Sequence, residues 1–348
     1  MADHPPVRLA IAGAGVIGRR HAERVAEEAA ARLTAVVDPS PVGHDLADKL
    51  GARWFESLEQ LLAEDRPDGI IVATPNQIHV SNGLLAVAAR VPVLVEKPIA
   101  DDVAAGRRLV EAAEQADVPL LVGHHRRYNP MVRKAKEIVD SGRLGRLIAV
   151  HGHFWLTKPD DYFDVAWRRA KGGGPVFLNL IHDIDLFRYL LGEIVSVQAQ
   201  ESNEVRGNAV EDTAVVLLSF ANGVLGSVAV SECIAAPWNW ELTAGENAAF
   251  PQQNETCYQL GGTLGSLSIP QLDVWSYPAK RGWLEPLSRE RVPFIAGDPL
   301  KAQIRHFCEV IRGQATPIVS GREGLQTLKV IEAIKQAARS GQPVAVGL

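Results

Sequence analysis

Cysteine is scarce in this 348-residue chain: there are three, Cys233, Cys257 and Cys308, far apart and without a Cys-x-x-Cys pair. That argues against a disulfide framework or a thiolate zinc site and fits a reducing compartment. Long hydrophobic runs are also missing. No segment approaches a membrane-spanning length, and the first apolar run after Met1–Pro6 is strand-sized, unlike a secretory leader. Neither charge sign is in strong excess. The formal net charge of -5 gives no general reason to expect nucleic acid or an anionic membrane as partner. Internal repeats and low-complexity linkers are lacking as well. A cytoplasmic protein of two domains, or one large one, is the expectation.

What is present in the first third is alternation. Val7–Ala12 is an apolar run that reads as a strand, followed by a helical stretch over Ile17–Ala31 and a strand over Leu33–Val37. Ser57 and Gln60 resemble a capping box opening a helix over Leu58–Glu64. Strands are expected at Gly69–Ala73, Val91–Val95 and Pro119–Val122. Helices are expected over Ile78–Ala89 and from a cap at Asp101 or Asp102 through Ala116. Such alternation means βαβ units and a parallel sheet.

After Gly145 the texture changes. Strands are expected at Arg146–Trp155, Val195–Ser202, Thr213–Phe220, Val224–Glu232, Trp240–Thr243 and Gly265–Ile269, with Asn222-Gly223 as a hairpin turn. This half reads as a mostly antiparallel sheet, with a helix over Leu178–Leu191. Two more helices, Pro299–Arg312 and Arg322–Ser340, close the chain. The domain boundary is placed between 125 and 126, giving domains 1–125 and 126–348, with the C-terminal helices able to pack on either.

The chemistry-bearing motifs fall at strand ends. Gly13-Ala14-Gly15-Val16-Ile17-Gly18 follows the first strand and opens the first helix. The first glycine permits a tight turn, the second lets backbone approach a pyrophosphate, and the third lets helix pack on strand. The helix start offers free N–H groups to phosphate. Asp38, 20 residues beyond Gly18, ends the second strand and can accept both ribose hydroxyls while repelling a 2′-phosphate. NAD is therefore favoured; Arg19, Arg20 and Ser40 keep NADP open, and Asp38-Pro39 could also be only a turn. Thr74-Pro75-Asn76, with His79 one turn later, reads either as a nicotinamide-side contact or as turn chemistry.

Val93-Leu94-Val95-Glu96-Lys97-Pro98 puts a lysine at the carboxyl end of an apolar strand, where open α/β sheets bind ligands. Lys97 reads as catalytic or as a structural ion-pair lysine. Further on, Asn179, His182 and Asp185 recur every three residues and would share one helix face, just after Gly172-Gly173-Gly174. A neutral imidazole beside a carboxylate can take a hydroxyl proton. A third ligand of suitable spacing is missing, so no metal is expected.

Together these motifs, with the ending Ser320-Gly321-Arg322-Glu323-Gly324-Leu325, resemble the glucose–fructose oxidoreductase / inositol dehydrogenase / rhizopine catabolism (Gfo/Idh/MocA) family over nearly the whole chain. The resemblance implies an N-terminal Rossmann domain and a C-terminal α/β domain with a large open sheet. It implies NAD(P)-dependent oxidation or reduction of a sugar, cyclitol or related hydroxy compound, often in a homodimer or homotetramer. It makes Lys97 the catalytic lysine, which also meets cofactor and substrate, His182 the proton acceptor, and Asp185 a carboxylate at the substrate site. Glu96, Arg126, Trp167 and Arg168 would join the cofactor set. Arg127, Tyr128 and Tyr162 would join the substrate set with Asn179.

One position departs from the pattern. Many catalytic members carry Asp four residues before the catalytic histidine, where this chain has Leu178, so Asn179 would bind a substrate hydroxyl instead. Trp155 offers a flat face to a sugar ring, or simply packs. Rival readings are an NADP-dependent reductase or dihydrodiol dehydrogenase on a non-sugar ring, and a dinucleotide-sensing regulator without turnover.

Overall fold

The computed structural model describes residues 4–347. These fall into two compact units. One runs up to Tyr128 and takes in Asp298–Leu328; the other holds Asn129–Gly297 and the chain from Lys329 onward. The cut between 125 and 126 drawn from sequence falls inside the short 3-10 turn His125–Tyr128, whereas the division of the structure follows it. That turn belongs to the first unit, where the Tyr128 ring lies 5.4 Å from the His306 ring.

The first unit is a parallel six-stranded sheet. Its strands are β1 (Val7–Ala12), β2 (Ala31–Val37), β3 (Arg53–Phe55), β4 (Gly69–Val72), β5 (Val93–Val95) and β6 (Leu120–Val122), in the order β3-β2-β1-β4-β5-β6. This is the doubly wound Rossmann order. All four residues of β4 and all three of β5 are buried, as expected of strands covered on both faces. The helices are α1 (Val16–Glu27), α2 (Pro41–Leu50), α3 (Leu58–Glu64), α4 (His79–Ala88) and α5 (Val103–Gln115).

Local chemistry sets their ends. The Ser57 hydroxyl accepts the Gln60 N–H at 3.2 Å, while the Gln60 amide turns back to the Glu56 N–H at 3.3 Å. Asp102 caps α5 through the Ala105 N–H at 2.7 Å. The first helix stops at Glu27, short of the expected Ala31, because Ala31 is already paired with Val7 in the sheet. Helix α2 and strand β3 lay outside the sequence reading. Pro41 opens α2, and Gly51, at φ 66°, closes it.

The second unit contains α6 (Pro130–Asp140), β7 (Leu147–Trp155), α7 (Ile181–Leu191), β8 (Ile194–Ser202), β9 (Thr213–Phe220), β10 (Leu225–Ser231) and α8 (Trp240–Thr243). Strands β11 (Tyr258–Gly262), β12 (Gly265–Ile269), β13 (Asp273–Ser276) and β14 (Ser288–Arg291) follow. The sheet order is β14-β13-β12-β11-β7-β10-β9-β8-β15, where β15 is Val344–Ala345. Within this nine-stranded sheet, only the β7–β10 pairing is parallel among the described strands. Asn222-Gly223 makes the β9–β10 turn, with Gly223 at φ 86°. Along β9, Ala214, Val216, Leu218 and Phe220 are buried while Val215 and Leu217 are exposed, so one face meets the core and the other is open.

One expected strand is corrected. Trp240–Thr243 is the helix α8, because Asn239 caps it through the Leu242 N–H at 2.9 Å. The four residues Trp240, Glu241, Leu242 and Thr243 alternate apolar and polar as a strand would, and are too few for a helical period to show.

The chain ends in α9 (Pro299–Ile311) and α10 (Gly321–Ser340). Helix α9 supplies Ile304, Phe307, Cys308 and Val310 to the core of the first unit, beside Val7, Leu9 and Ile11. The division between the units falls inside α10, after Leu328.

Candidate active site

In the first unit, the glycine loop leaves β1 and enters α1. Gly13 takes φ 99°, and a Cβ there would lie 2.7 Å from the Ala73 carbonyl carbon. A Cβ on Gly18 would run into the Gly13 carbonyl oxygen. Around Gly15 nothing lies within 4 Å of the Cβ position, so its backbone stands open beside the exposed Val16 and the half-buried Ile17. Two glycines therefore close the turn, and the third bares it at a helix N-terminus. That is the shape a pyrophosphate requires, so these residues fit a dinucleotide.

Asp38, just after β2, reaches the same loop. Its Oδ2 accepts the Ala14 N–H at 2.7 Å and its Oδ1 accepts the Ser40 N–H at 2.9 Å. Gly43, without a Cβ, lets α2 lie against Asp38.

Two more strand-end loops lie on this edge. After β4 come Thr74, the exposed Pro75 and Asn76, which opens a 3-10 turn. His79, which the sequence leaves open between a nicotinamide-side contact and turn chemistry, has a buried ring. Its Nδ1 lies 2.8 Å from the Pro98 carbonyl oxygen and its Nε2 2.8 Å from the Thr74 carbonyl oxygen. It is a clamp between two loops, and burial lowers its pKa against the pull of both carbonyls.

After β5, Lys97 is half-buried and Glu96 is buried. The Glu96 carboxylate, expected from the resemblance to join the cofactor set, has a protein partner on each oxygen. Its Oε1 pairs with His21 Nε2 at 2.6 Å and its Oε2 accepts the Lys97 backbone N–H at 3.1 Å. Burial alone would raise the Glu96 carboxyl, but the His21 hydrogen bond and the charges of His21, His125 and Lys97 hold it down at about 2. His21 was missed from sequence. Its place three residues after Gly18 marks the inner face of α1, but nothing local announces a partner 75 residues away.

The turn after β6 is also more enclosed than expected. Arg126, Arg127 and Tyr128 are all buried, and the Arg127 guanidinium binds Glu323 at 2.9 Å. Arg127 and Tyr128, expected from the resemblance at the substrate, are held here within the first unit.

In the second unit, the triple glycine serves close packing. A Cβ on Gly173 would lie 2.7 Å from the Arg168 carbonyl carbon, and one on Gly174 would strike the Glu211 carboxylate. Glu211 Oε1 accepts the Val176 N–H at 3.0 Å, and its Oε2 pairs with Lys335. This anchor, also missed from sequence, holds a π-helical turn over Val176–Leu180 that leads into α7. The wider turn breaks the three-residue alignment expected of Asn179. The polar stripe in regular helix is His182 and Asp185, both buried. Asn179 Oδ1 is buried and has no hydrogen-bond partner. Leu178 is half-buried. Asp183, between the stripe residues, instead accepts the hydroxyl of the buried Tyr258.

The remaining expected residues lie on β7 and the loop after it. Trp155 packs 5.0 Å from the His153 ring and 5.7 Å from the Trp238 ring. The Tyr162 ring carries the Arg168 guanidinium at 4.0 Å and the Lys158 ammonium at 4.8 Å, and burial raises its phenol pKa. Trp167 is exposed, and Arg168 donates to the Tyr162 carbonyl at 2.8 Å. Lys158 is itself paired with the buried Glu232 at 2.9 Å.

Comparison with known proteins covers both units. Residues 7–124 match the oxidoreductase family with an NAD-binding Rossmann fold, and residues 132–268 match the GFO/IDH/MocA C-terminal domain. The rhizopine catabolism protein MocA of Rhizobium meliloti is 26% identical over 94% of this chain and 93% of its own. The scyllo-inositol 2-dehydrogenase (NAD(+)) of Bacillus subtilis is 28% identical over 97% and 96%. Among solved structures, the WlbA dehydrogenase of Bordetella pertussis, in complex with NADH and UDP-GlcNAcA, superposes with a TM-score of 0.80. It is 26% identical and covers 99% of both chains.

Proposed function

The chain belongs to the Gfo/Idh/MocA family of NAD-binding oxidoreductases, and from that premise we propose that it oxidises a ring hydroxyl of a sugar, cyclitol or sugar acid, with NAD as hydride acceptor. The observation that carries this reading is Lys97 at the carboxyl end of β5, in a sheet whose β1 bears the open glycine loop. In open α/β sheets that edge is where ligands bind. The scyllo-inositol dehydrogenase and the WlbA complex support the substrate class.

When bound, NAD supplies the hydride acceptor; the chain supplies the rest. The Lys97 ammonium donates to the reacting oxygen and stabilises negative charge there, help that counts only if it is stronger in the transition state. His182 takes the hydroxyl proton, and Asp185 on the same face of α7 favours the imidazolium that results. Asn179 Oδ1, a buried acceptor lacking a donor, suits a substrate hydroxyl. Asp38 favours NAD over NADP, and Arg126, Trp167 and Arg168 serve the cofactor.

We further propose a homodimer or homotetramer in the cytoplasm. The exposed Val215 and Leu217 on the open face of β9 suit a second copy, and no helix of the described residues could cross a membrane.

NADH absorbance with a panel of sugars, inositols and sugar acids tests the activity. Lys97→Ala should lower kcat by roughly 100-fold or more while NAD affinity stays within a few-fold. A near-normal kcat in that variant rejects the assignment. Tight NAD binding by wild type without turnover of any panel member would instead indicate a sensor.

A further inference from the structure

We propose that Glu96, braced by the buried imidazole of His21, is the positioning residue for Lys97. Both carboxylate oxygens are held. His21 on α1 is fully buried and holds one carboxylate oxygen at 2.6 Å. The other oxygen accepts the backbone N–H of Lys97 itself at 3.1 Å. Gly123 lies against the carboxyl group so closely that a Cβ there would sit 2.8 Å from its carbon. On the far side of Lys97, His79 grips the Pro98 carbonyl oxygen at 2.8 Å. The lysine is thus carried on a turn pinned before it by Glu96 and after it by His79.

The same carboxylate acts on charge. Glu96 faces His21 from α1, His125 from the turn after β6, and Lys97 beside it, and its charge is felt at His79 from α4. Attraction between Glu96 and Lys97 is mutual, so a carboxylate kept ionised chiefly by His21 favours the ammonium in turn. This rests on the dehydrogenase reading: oxidised nicotinamide is cationic, and a lysine working beside it needs a nearby carboxylate to remain a donor.

The test reads the lysine directly. Lysines of the full-length protein are 13C-dimethylated, and the Lys97 signal, assigned by its loss in Lys97→Arg, is titrated by NMR without NAD. Glu96→Gln should lower its midpoint by about one pH unit. In turnover, the alkaline limb of kcat should move by the same amount, with kcat about tenfold lower and KM for NAD within about threefold. An unmoved midpoint overturns the proposal. Glu96→Asp keeps the charge but is too short to hold both His21 and Lys97. It should cost about tenfold in kcat with little change in the midpoint, and wild-type kcat there overturns the proposal even where Glu96→Gln does not fold. A wild type that oxidises no polyol, yet shows the midpoint shift, refutes the dehydrogenase reading and leaves the positioning role standing.

Discussion

Acidic residues of one chemical type carry separate tasks here, and their partners show which. Asp183 and Asp185 are both buried on α7, two positions apart. Asp183 accepts the Tyr258 hydroxyl and serves packing, whereas Asp185 shares the His182 face. Sequence spacing puts His182 and Asp185 on one face, because helical phase is local, whereas the Tyr258 partner of Asp183 lies 75 residues away. Asp38 shows the opposite dependence on a distant partner. Its two oxygens join the Ala14 and Ser40 N–H groups, so the carboxylate stands at the rim of the glycine loop. A 2′-phosphate there would meet a negative charge. Asp38→Ala should therefore raise the NADP/NAD ratio of kcat/KM by roughly tenfold, about 1.4 kcal/mol. It should also weaken NAD, since the Ala14 N–H loses its acceptor. Initial rates with both cofactors check this, and an unchanged ratio removes Asp38 from the ribose.

At the scale of elements, what the sequence reveals depends on whether pattern or partner decides. Strands β9 and β12 coincide with their predicted ranges because their residues alternate or run apolar between turn signals. Strands β11 and β14 do not announce themselves. Tyr258–Gly262 ends in two glycines and Ser288–Arg291 is wholly polar, so pairing with β12 and β13 makes them strands. The π-turn before α7 is equally silent in sequence, because Glu211 and Lys335 hold it from 35 and more residues away. That element yields a prediction. Gly174→Ala places a methyl on the Glu211 carboxylate and breaks its bond to the Val176 N–H. The variant should lose about 1–3 kcal/mol in urea unfolding and lower kcat through His182, while NAD affinity is kept. A kcat equal to wild type would show that the turn does not set the histidine.

For the whole molecule, the two units are each completed by chain that arrives late. The glycine loop, Asp38 and Lys97 all lie before residue 129, yet the core beneath them is closed by α9. Phe307 is fully buried, and its ring edge lies 3.1 Å from where a Cβ on Gly69 would be. The amphipathic spacing of α9 was readable in sequence, whereas its destination was not, because periodicity names a buried face without naming what buries it. Phe307→Ala should cost about 3–5 kcal/mol, borne by the first unit. In native-state hydrogen exchange, amides of β1, β2 and β4 should lose protection in this variant, while those of β9 and β10 keep theirs. NAD should restore protection to the first set, since a ligand that binds only the folded state stabilises it by an amount that grows with the logarithm of its concentration above Kd. Equal loss in β9 and β10 would mean that the chain opens as one cooperative block, and the compact units would then have no separate stability.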